Sequence, residues 1–492
     1  MPGVLKPAPA TPTGPEGDGS LYKKRVKVHP KKVEGPFRRF KWAVLFLTLG
    51  IYYLTPWLRW DRGPFSPDQA VLVDLANRRF YFGPIEIWPQ EFYYVAGLLI
   101  MAGLGLFLVT TSVGRAWCGY ACPQTVWTDL YMAVERWIEG DRNERIRLDK
   151  APMSAGKLAK RSTKHAIWLL IAVLTGGAWV FYFTDAPTLL RELLTGQAPF
   201  VAYATIGVLT FTTYSLAGLM REQVCTYMCP WPRIQSAMLD EDSFIVTYKA
   251  WRGEPRGSAK AKDANLGDCV DCMACVNVCP TGIDIRNGPQ LECITCALCI
   301  DACNDVMGKL DRPKDLIGYT TLERDIAESK GEPLPPMWKT LLRPRVLIYF
   351  AVWAAIGIGM LVVLAGRSRM DISVAQDRNP VYVQLSDGDI RNSYTVKLMN
   401  KEPRPRQFDL SVSGLDNARL ANPRMGEAPA KRIRLDVRPD GVDTYTIQVR
   451  VPAASIHAEQ SDIVFKAHAA DGDGDVMETT RFSAPESAVK AR

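Results

Sequence analysis

Residues 269–303 read Cys269-Val-Asp-Cys272-Met-Ala-Cys275-Val-Asn-Val-Cys279-Pro280 and, after a short gap, Cys293-Ile-Thr-Cys296-Ala-Leu-Cys299-Ile-Asp-Ala-Cys303. Each half is a C-x2-C-x2-C-x3-C run, the spacing with which bacterial ferredoxins hold [4Fe-4S] clusters. Three thiolates at spacing three wrap one side of a cube within a tight turn, and the fourth must arrive from elsewhere. In two-cluster ferredoxins it comes from the other run. The expected ligand sets are therefore Cys269, Cys272, Cys275 and Cys303 for one cluster, and Cys279, Cys293, Cys296 and Cys299 for the other. Asn304 stands where the first run has Pro280, which alters the turn but not the ligand count. Zinc fits less well, because its sites use paired C-x2-C knuckles separated by longer gaps. Two clusters held close by swapped ligands make a one-electron relay.

Working outward, the chain has 492 residues and 12 cysteines, all of them between Cys118 and Cys303. That length predicts two to four domains. A disulfide-stapled secreted scaffold is excluded, since such proteins spread their pairs through a short chain. The net charge of +8 is small for this length and forms no basic face, so no nucleic-acid partner is expected.

Five apolar runs, at 42–58, 92–111, 166–183, 200–220 and 346–365, approach the about 20 residues a helix needs to cross a bilayer. Lys and Arg crowd the segment from Lys23 to Lys41 and the loop from Arg115 to Lys164, whereas the loop between the third and fourth runs has only Arg191. Short loops rich in Lys and Arg stay cytoplasmic. The N-terminus is thus expected inside and, with five spans, the C-terminus outside. The tail at residues 1–19, rich in Pro, Ala, Thr and Gly, is expected to be disordered, and it lacks the apolar core of a signal peptide. All twelve cysteines then fall on the reducing side or at its membrane edge, where free thiols and metal thiolates survive.

A shorter motif occurs twice: Cys118-Gly-Tyr120-Ala-Cys122-Pro123 after the second run and Cys225-Thr-Tyr227-Met228-Cys229-Pro230 after the fourth. Cysteines four apart share a helix face. Proline after the second cysteine suits the first position of a new helix. Beyond Pro123, Val126, Leu130, Val134, Trp137 and Ile138 repeat at helical spacing with Asp129, Glu135 and Arg136 between them. This predicts an amphipathic helix lying at the membrane surface. Cys122 at its N-terminus would have a lowered thiol pKa. Soft thiolates suit a soft metal such as Cu(I), and Cys118, Cys122, Cys225 and Cys229 are candidates for one shared site if the spans pack together, with Met228 as a further thioether candidate. The copper and catalytic role itself is what the family resemblance below implies. The plainer alternative is that each pair packs a membrane-edge turn. His165 is expected to be an interfacial helix-start residue rather than a ligand.

From 371 to 485 short alternating strands recur, at 381–385, 394–398, 408–412, 433–437, 445–451 and 463–467, broken by Gly, Pro, Asn and Asp. Period-two alternation at this spacing predicts a β-sandwich. Asp471-Gly-Asp-Gly-Asp475 lacks the glycine and glutamate of a calcium loop and reads as a hairpin turn.

The extended motifs Asn77-Arg-Arg-Phe-Tyr-Phe-Gly83, Trp88-Pro-Gln90, Trp117-Cys-Gly-Tyr-Ala-Cys-Pro-Gln-Thr-Val-Trp127 and Met228-Cys-Pro-Trp-Pro232, together with the ferredoxin runs, resemble the cytochrome c oxidase accessory family called CcoG, FixG or RdxA. That resemblance covers nearly the whole chain. It implies a multi-pass protein of the bacterial inner membrane that reduces Cu(II) to Cu(I) for the copper site of the cbb-type oxidase. Copper is then the substrate, and copper chaperones, oxidase assembly factors and a cytoplasmic electron donor are the partners, besides membrane lipid. The expected fold is an α-helical integral membrane protein with five spans, a 2x[4Fe-4S] ferredoxin-like domain and a C-terminal all-β immunoglobulin-like sandwich. The divisions are 1–39, a basic cytoplasmic tail; 40–220, four spans with both Cys-x-Tyr-x-Cys-Pro motifs; 221–345, the cytoplasmic ferredoxin domain; 346–365, the fifth span; and 366–492, the periplasmic sandwich. Two other functions compete: a quinol dehydrogenase or electron relay to a periplasmic respiratory reductase, and a non-redox assembly scaffold.

Overall fold

The computed structural model describes residues 27–258, 265–334, 336–426, 428–472 and 474–486. The tail expected to be disordered at 1–19 and the basic Lys23, Lys24 and Arg25 lie outside the described residues. The chain forms two compact units, Met1–Leu58 with Gln69–Met360, and Arg59–Asp68 with Leu361–Arg492.

In the first unit, helix α1 (Pro36–Leu54) starts on a proline, whose missing N–H is an unpaired helix-start donor in any case. The 42–58 run is helical only to Leu54 and closes in a 3-10 turn at Thr55–Trp57. A three-stranded antiparallel sheet follows, β1 (Val71–Asp74), β2 (Arg79–Phe82) and β3 (Ile85–Ile87), which the periodicity did not predict. Next come α2 (Tyr93–Val113), α3 (Ala116–Tyr120), α4 (Pro123–Glu139), α5 (Arg142–Lys150), α6 (Ala155–Val180), α7 (Ala186–Thr195) and α8 (Phe200–Thr213), the last continuing as π-helical turns over Tyr214–Met220.

Among the described residues four helical segments are long and apolar enough to cross a membrane: Pro89–Val113, Ala155–Val180, Phe200–Met220 and Pro344–Ala365. The first expected crossing is not among them, because α1 carries Arg38, Arg39 and Lys41 near its start. The crossings pair through small residues that let backbones approach closely. A Cβ at Gly176 of α6 would lie 2.9 Å from the Ile206 carbonyl of α8. Gly105 of α2 sits beneath Trp353, whose indole Nε1 donates to the Met101 carbonyl at 3.0 Å.

The helix expected after Pro123 forms as α4, and its acidic residues turn toward the protein. Asp129 and Glu135 are only 2% and 1% exposed, whereas Trp137 is 79% exposed. The carboxylate stripe faces inward because cations from four other segments neutralise it. Arg38 of α1 grips Asp129 at 2.8 and 2.9 Å. Arg145 of α5 and Arg221 after the π turns each reach Glu135 at 2.9 Å, and Lys164 of α6 lies 2.7 Å from Glu139. Several cations of the expected cytoplasmic loops are thus committed to ion pairs inside the protein.

The cysteine-rich segment begins with a π-helical turn at Val224–Met228 and runs through α9 (Trp231–Met238), β4 (Ile245–Tyr248), α10 (Ala250–Gly253), α11 (Ala274–Val278), α12 (Leu298–Lys309), β5 (Ile317–Thr320) and α13 (Leu322–Ser329). Strands β4 and β5 pair antiparallel, with Val246 opposite Tyr319. Asn304 explains the length of α12: without a proline after Cys303 the helix continues to Lys309, and the Asn304 side chain ties back to Asp315 at 3.0 Å.

The second unit is a sandwich of two antiparallel sheets, built from β6 (Met370–Gln376), β7 (Val383–Gln384), β8 (Ile390–Asn400), β9 (Arg406–Ser413), β10 (Arg419–Ala421), β11 (Arg432–Val437), β12 (Gly441–Val451), β13 (Gln460–Ala469) and β14 (Asp475–Ser483). One sheet runs β10-β12-β8-β6 with β7 alongside β8, and the other β11-β9-β13-β14. Alternate residues such as Tyr394, Phe408, Leu435, Ile447 and Phe465 point inward to form the core. The strand expected at 381–385 contracts to Val383–Gln384. The Asp471–Asp475 stretch joins β13 to β14, and its ends are held by salt bridges from Arg406 to Asp471 (2.8 Å) and Lys466 to Asp475 (2.6 Å).

Candidate iron-sulfur and thiol site

The two cysteine runs fold onto two separate cavities. Cys269, Cys272, Cys275 and Cys303 line one of about 340 Å³ with Met273 and Arg286. Cys279, Cys293, Cys296 and Cys299 line the other, of about 370 Å³, with Cys275 at its border. Short helices bring about this exchange, since α11 carries Cys275 and ends at Cys279, while α12 carries Cys299 and Cys303. Residues four apart on one helix thereby reach neighbouring cavities.

The backbone repeats as well. Asp271 and Met273 flank Cys272, Thr295 and Ala297 flank Cys296, and all four have φ between 53° and 59°. L-residues adopt this left-handed conformation only under constraint. Such reversals of hand turn successive amide N–H groups into a concave anion-binding nest, common around iron-sulfur centres. Two four-cysteine cavities with matching nests fit two [4Fe-4S] cubes. A single-ion site fits poorly: tetrahedral zinc would draw sulfurs to about 3.8 Å from one another. Among the described residues, no three His, Cys, Asp or Glu side chains converge tightly enough to hold one ion.

The first Cys-x-Tyr-x-Cys-Pro motif is docked against the second cavity. A Cβ at Gly119 would stand 2.7 Å from the Ile294 carbonyl and 3.1 Å from Cys296 Cα, so only glycine fits the approach. The Tyr120 hydroxyl donates to the Cys296 carbonyl at 3.1 Å, and Cys118 packs with Ile294, Cys296 and Leu298. The Cys118 thiol donates to Gln235 Oε1 at 3.2 Å, and that oxygen also accepts from Arg115 Nε at 3.2 Å. Gln235 Nε2 in turn donates to Thr110 Oγ1 at 3.1 Å. Gln235, Thr110 and the role of Arg115 carry no motif in the sequence.

The second motif is built differently. Cys225 lies in the π-helical turn rather than an α-helix, and lines a cavity of about 320 Å³ with Lys41, Gln124, Met132, Arg221, Pro280 and Ile294. Tyr227, the counterpart of Tyr120, is 72% exposed, and Met228 points outward while Met132 shares the Cys225 cavity. The four motif cysteines are electrostatic neighbours, each within the field felt at Cys118. They do not converge on one point.

Cys122 caps the start of α4 as expected. Its thiol pKa is nevertheless raised: burial outweighs the amide hydrogen bonds around Thr125 and Gln124. Burial also pushes Cys118 up to about 12 and Cys225 up to about 11. These side chains are neutral thiols until a metal displaces their protons. His165 lies well inside α6 rather than at its start, with Nδ1 2.8 Å from the Tyr214 hydroxyl.

Residues 220–322 match the family model of a 4Fe-4S dicluster domain, and residues 95–140, which include Cys118 and Cys122, match that of a 4Fe-4S binding domain. Residues 360–485 match the "IG-like fold at C-terminal of FixG". The chain is 57% identical over 461 residues to the nitrogen fixation protein FixG of Rhizobium meliloti (strain 1021), covering 88% of each. It is 60% identical over 397 residues to protein RdxB of Cereibacter sphaeroides, covering 80% of this chain and 83% of that one. Protein RdxA of the same organism is 56% identical over 394 residues, with 80% and 84% covered. With its apolar helices, paired cysteine cavities and terminal sandwich, the chain belongs to the FixG/RdxA family as a membrane iron-sulfur electron-transfer protein.

Proposed function

We propose that this chain passes electrons through two [4Fe-4S] clusters to a thiol site formed by Cys118, Cys122, Cys225 and Cys229, where Cu(II) is reduced to Cu(I) for assembly of a cbb-type oxidase. One observation carries the reading: Gly119 and Tyr120 seat the first thiol pair directly on the Cys296 turn. Bound clusters supply reversible one-electron storage. Cys269, Cys272, Cys275 and Cys303 hold one, and Cys279, Cys293, Cys296 and Cys299 the other.

Each motif thiol that becomes a copper ligand releases its proton to solvent, and the resulting soft thiolate favours Cu(I) over Cu(II). One electron converts one Cu(II), so the step needs no bond cleavage. Cys118 and Cys122 form the electron side of the site. Cys225 opens to its own cavity beside exposed Tyr227, the side suited to metal exchange. With α1 counted as a fifth crossing beside the four longer apolar helices, the distribution of Lys and Arg supports clusters and N-terminus in the cytoplasm and the sandwich in the periplasm. Partners in this reading are a cytoplasmic electron donor, copper chaperones and oxidase assembly factors, and membrane lipid.

The test replaces the four motif cysteines by serine in the purified full-length protein, reduces it anaerobically and adds Cu(II) with a Cu(I)-specific chelator. Loss of Cu(I) formation with iron content unchanged at about eight per chain is expected. An unchanged rate would refute the assignment. The match of residues 95–140 to a 4Fe-4S binding domain favours a second reading, in which the same four cysteines hold a third cluster. That reading predicts about twelve irons, falling to about eight in the serine variant.

A further inference from the structure

We propose that Lys41 and Arg115 set the inner cluster, held by Cys279, Cys293, Cys296 and Cys299, at a higher potential than the outer one, so that an electron moves inward toward Cys118. This rests on the two-cluster reading above and adds a direction to it. The step is one electron leaving the reduced outer cluster and entering the oxidised inner one, with no proton moved and no bond broken.

The charges around the two cavities differ in kind. Lys41 and Arg115 are 2% and 4% exposed. Among the described residues neither has a carboxylate within ion-pair distance. Lys41 lines the cavity that Pro280, Thr281 and Ile294 share with Cys225, and its field falls on Cys296. The Asp129 carboxylate, gripped twice by Arg38, also interacts with Lys41 and acts on Cys296, so these three groups leave one net positive charge there. Arg115 donates Nη1 to the Leu291 carbonyl at 2.5 Å, two residues before Cys293, and its other partner is the neutral Gln235.

The outer cavity has cations too, but they are cancelled. Arg286 is clamped by Asp284 at 2.7 Å and by Asp271 at 2.5 Å, and Arg252 by Asp268 at 2.8 Å. Asp301, on the far side of α12 from Cys299 and Cys303, accepts the Phe37 and Arg38 backbone N–H groups at 3.3 and 2.8 Å and lines neither cavity.

Reduction adds a negative charge to a cluster, so nearby positive charge raises its potential and burial lowers it. Burial alone would make the inner cluster the harder to reduce, since Cys272 of the outer set is exposed, although Cys269, Cys275 and Cys303 are buried, whereas no inner cysteine is exposed. Arg115 and the net positive charge of Lys41, Arg38 and Asp129 together, in a low-dielectric surround, reverse that order, because charges there are weakly screened.

The experiment is a mediated redox titration of the full-length protein in detergent, followed by electron paramagnetic resonance, with iron and sulfide assayed on each sample. In the native protein the inner cluster is reduced first. Lys41→Met lowers the reduced-to-oxidised ratio of the inner cluster about tenfold at its native midpoint and leaves the outer one in place. Lys41→Arg restores the ratio, and Arg115→Gln acts as Lys41→Met does. Asp284→Asn, which removes one of the two carboxylate charges on Arg286, moves the outer cluster upward only and identifies its signal. Unchanged ratios in Lys41→Met and Arg115→Gln, or equal shifts of both clusters, overturn the proposal while leaving the two-cluster reading intact. Should Lys41→Met lose a cluster, Arg115→Gln and Asp284→Asn decide alone. Fewer than two clusters in the native protein would sink the underlying reading instead.

Discussion

Glu135→Gln removes one charge from the centre of the buried network on α4, and its effect can be sized in two ways. Burial opposes ionisation of Glu135, yet Arg221, Arg145 and Lys164 hold its pKa down to about 2 from the usual 4.5. At about 1.4 kcal/mol per tenfold, that depression is worth about 3 kcal/mol. Independently, removing one partner of a buried ion pair costs about 3 to 5 kcal/mol, because the remaining charges stay desolvated and unpaired. Glutamine preserves the shape but leaves Arg145, Lys164 and Arg221 with Glu139 as their remaining acid in the network. The assay is a denaturant titration in detergent followed by tryptophan fluorescence, for which Trp168 reports locally: Lys164 Nζ lies 4.9 Å and the Arg221 guanidinium 5.2 Å from its ring. A control at the exposed Lys309–Asp305 pair, Asp305→Asn, should change stability by under about 0.5 kcal/mol. The sign with pH follows from a lowered folded pKa. The Glu135 contribution is complete above about 4.5 and disappears as pH falls toward 2, so native protein and variant should converge over that window and stay apart at pH 6 to 8. Because Arg221 ends the π turns just before Cys225, the variant should also expose Cys225 to faster alkylation. A Glu135→Gln protein within about 0.5 kcal/mol of native at pH 7 would refute the reasoning.

Three further outcomes are expected. Cys279→Ser should abolish the cluster of the second run and spare that of the first, read by iron content and paramagnetic signal; loss of the first-run cluster would show that each run holds its own cube. Gly119→Ala should lower the melting temperature through about 1 to 3 kcal/mol of overpacking against Ile294, although alanine is the better helix former; an unchanged or higher melt counts against the docking. Phe465→Ala, beneath Tyr394 with ring centroids 5.2 Å apart, should cost about 3 to 5 kcal/mol in the sandwich unit by calorimetry, with both clusters retained.

The features legible in the sequence are those with local causes. The C-x2-C-x2-C-x3-C spacing is a property of a single turn, and the alternation of β8 or β11 follows from one face meeting a core. Strands β6 and β14 went unread, although both lie in the sandwich, because β6 abuts the end of an apolar helix and β14 alternates mostly among polar residues. The inward turn of the α4 acids was not legible for a different reason. Asp129 and Glu135 have the spacing of a solvated face, and only the arrival of Arg38, Arg145 and Arg221 from 91, 10 and 86 positions away turns that face inward. Lys41 and Arg115 were visible only as loop and tail charges that set topology. Neither burial nor the lack of an acid partner can be seen in a one-dimensional charge count.

The duplicated motif shows how one local sequence can be put to two uses. Cys-x-Tyr-x-Cys-Pro fixes a short turn and a following helix in both copies, and that much is symmetric. The preceding helices are not: α2 ends cleanly at Gly114, whereas α8 unwinds into π-helical turns through Met220. An extra residue per turn rotates everything downstream, so Tyr227 is carried out to the surface while Tyr120 is directed onto the Cys296 carbonyl. The glycine of the first copy, absent from the second, permits the close approach, and Thr226 at the equivalent place instead bonds its hydroxyl back to the Glu222 carbonyl at 2.9 Å. Symmetric thiol pairs would both face the cluster or both face outward. The π turns break that equivalence, leaving one pair packed against the Cys296 turn and the other beside a separate cavity, the division on which the proposed electron transfer to a bound metal rests.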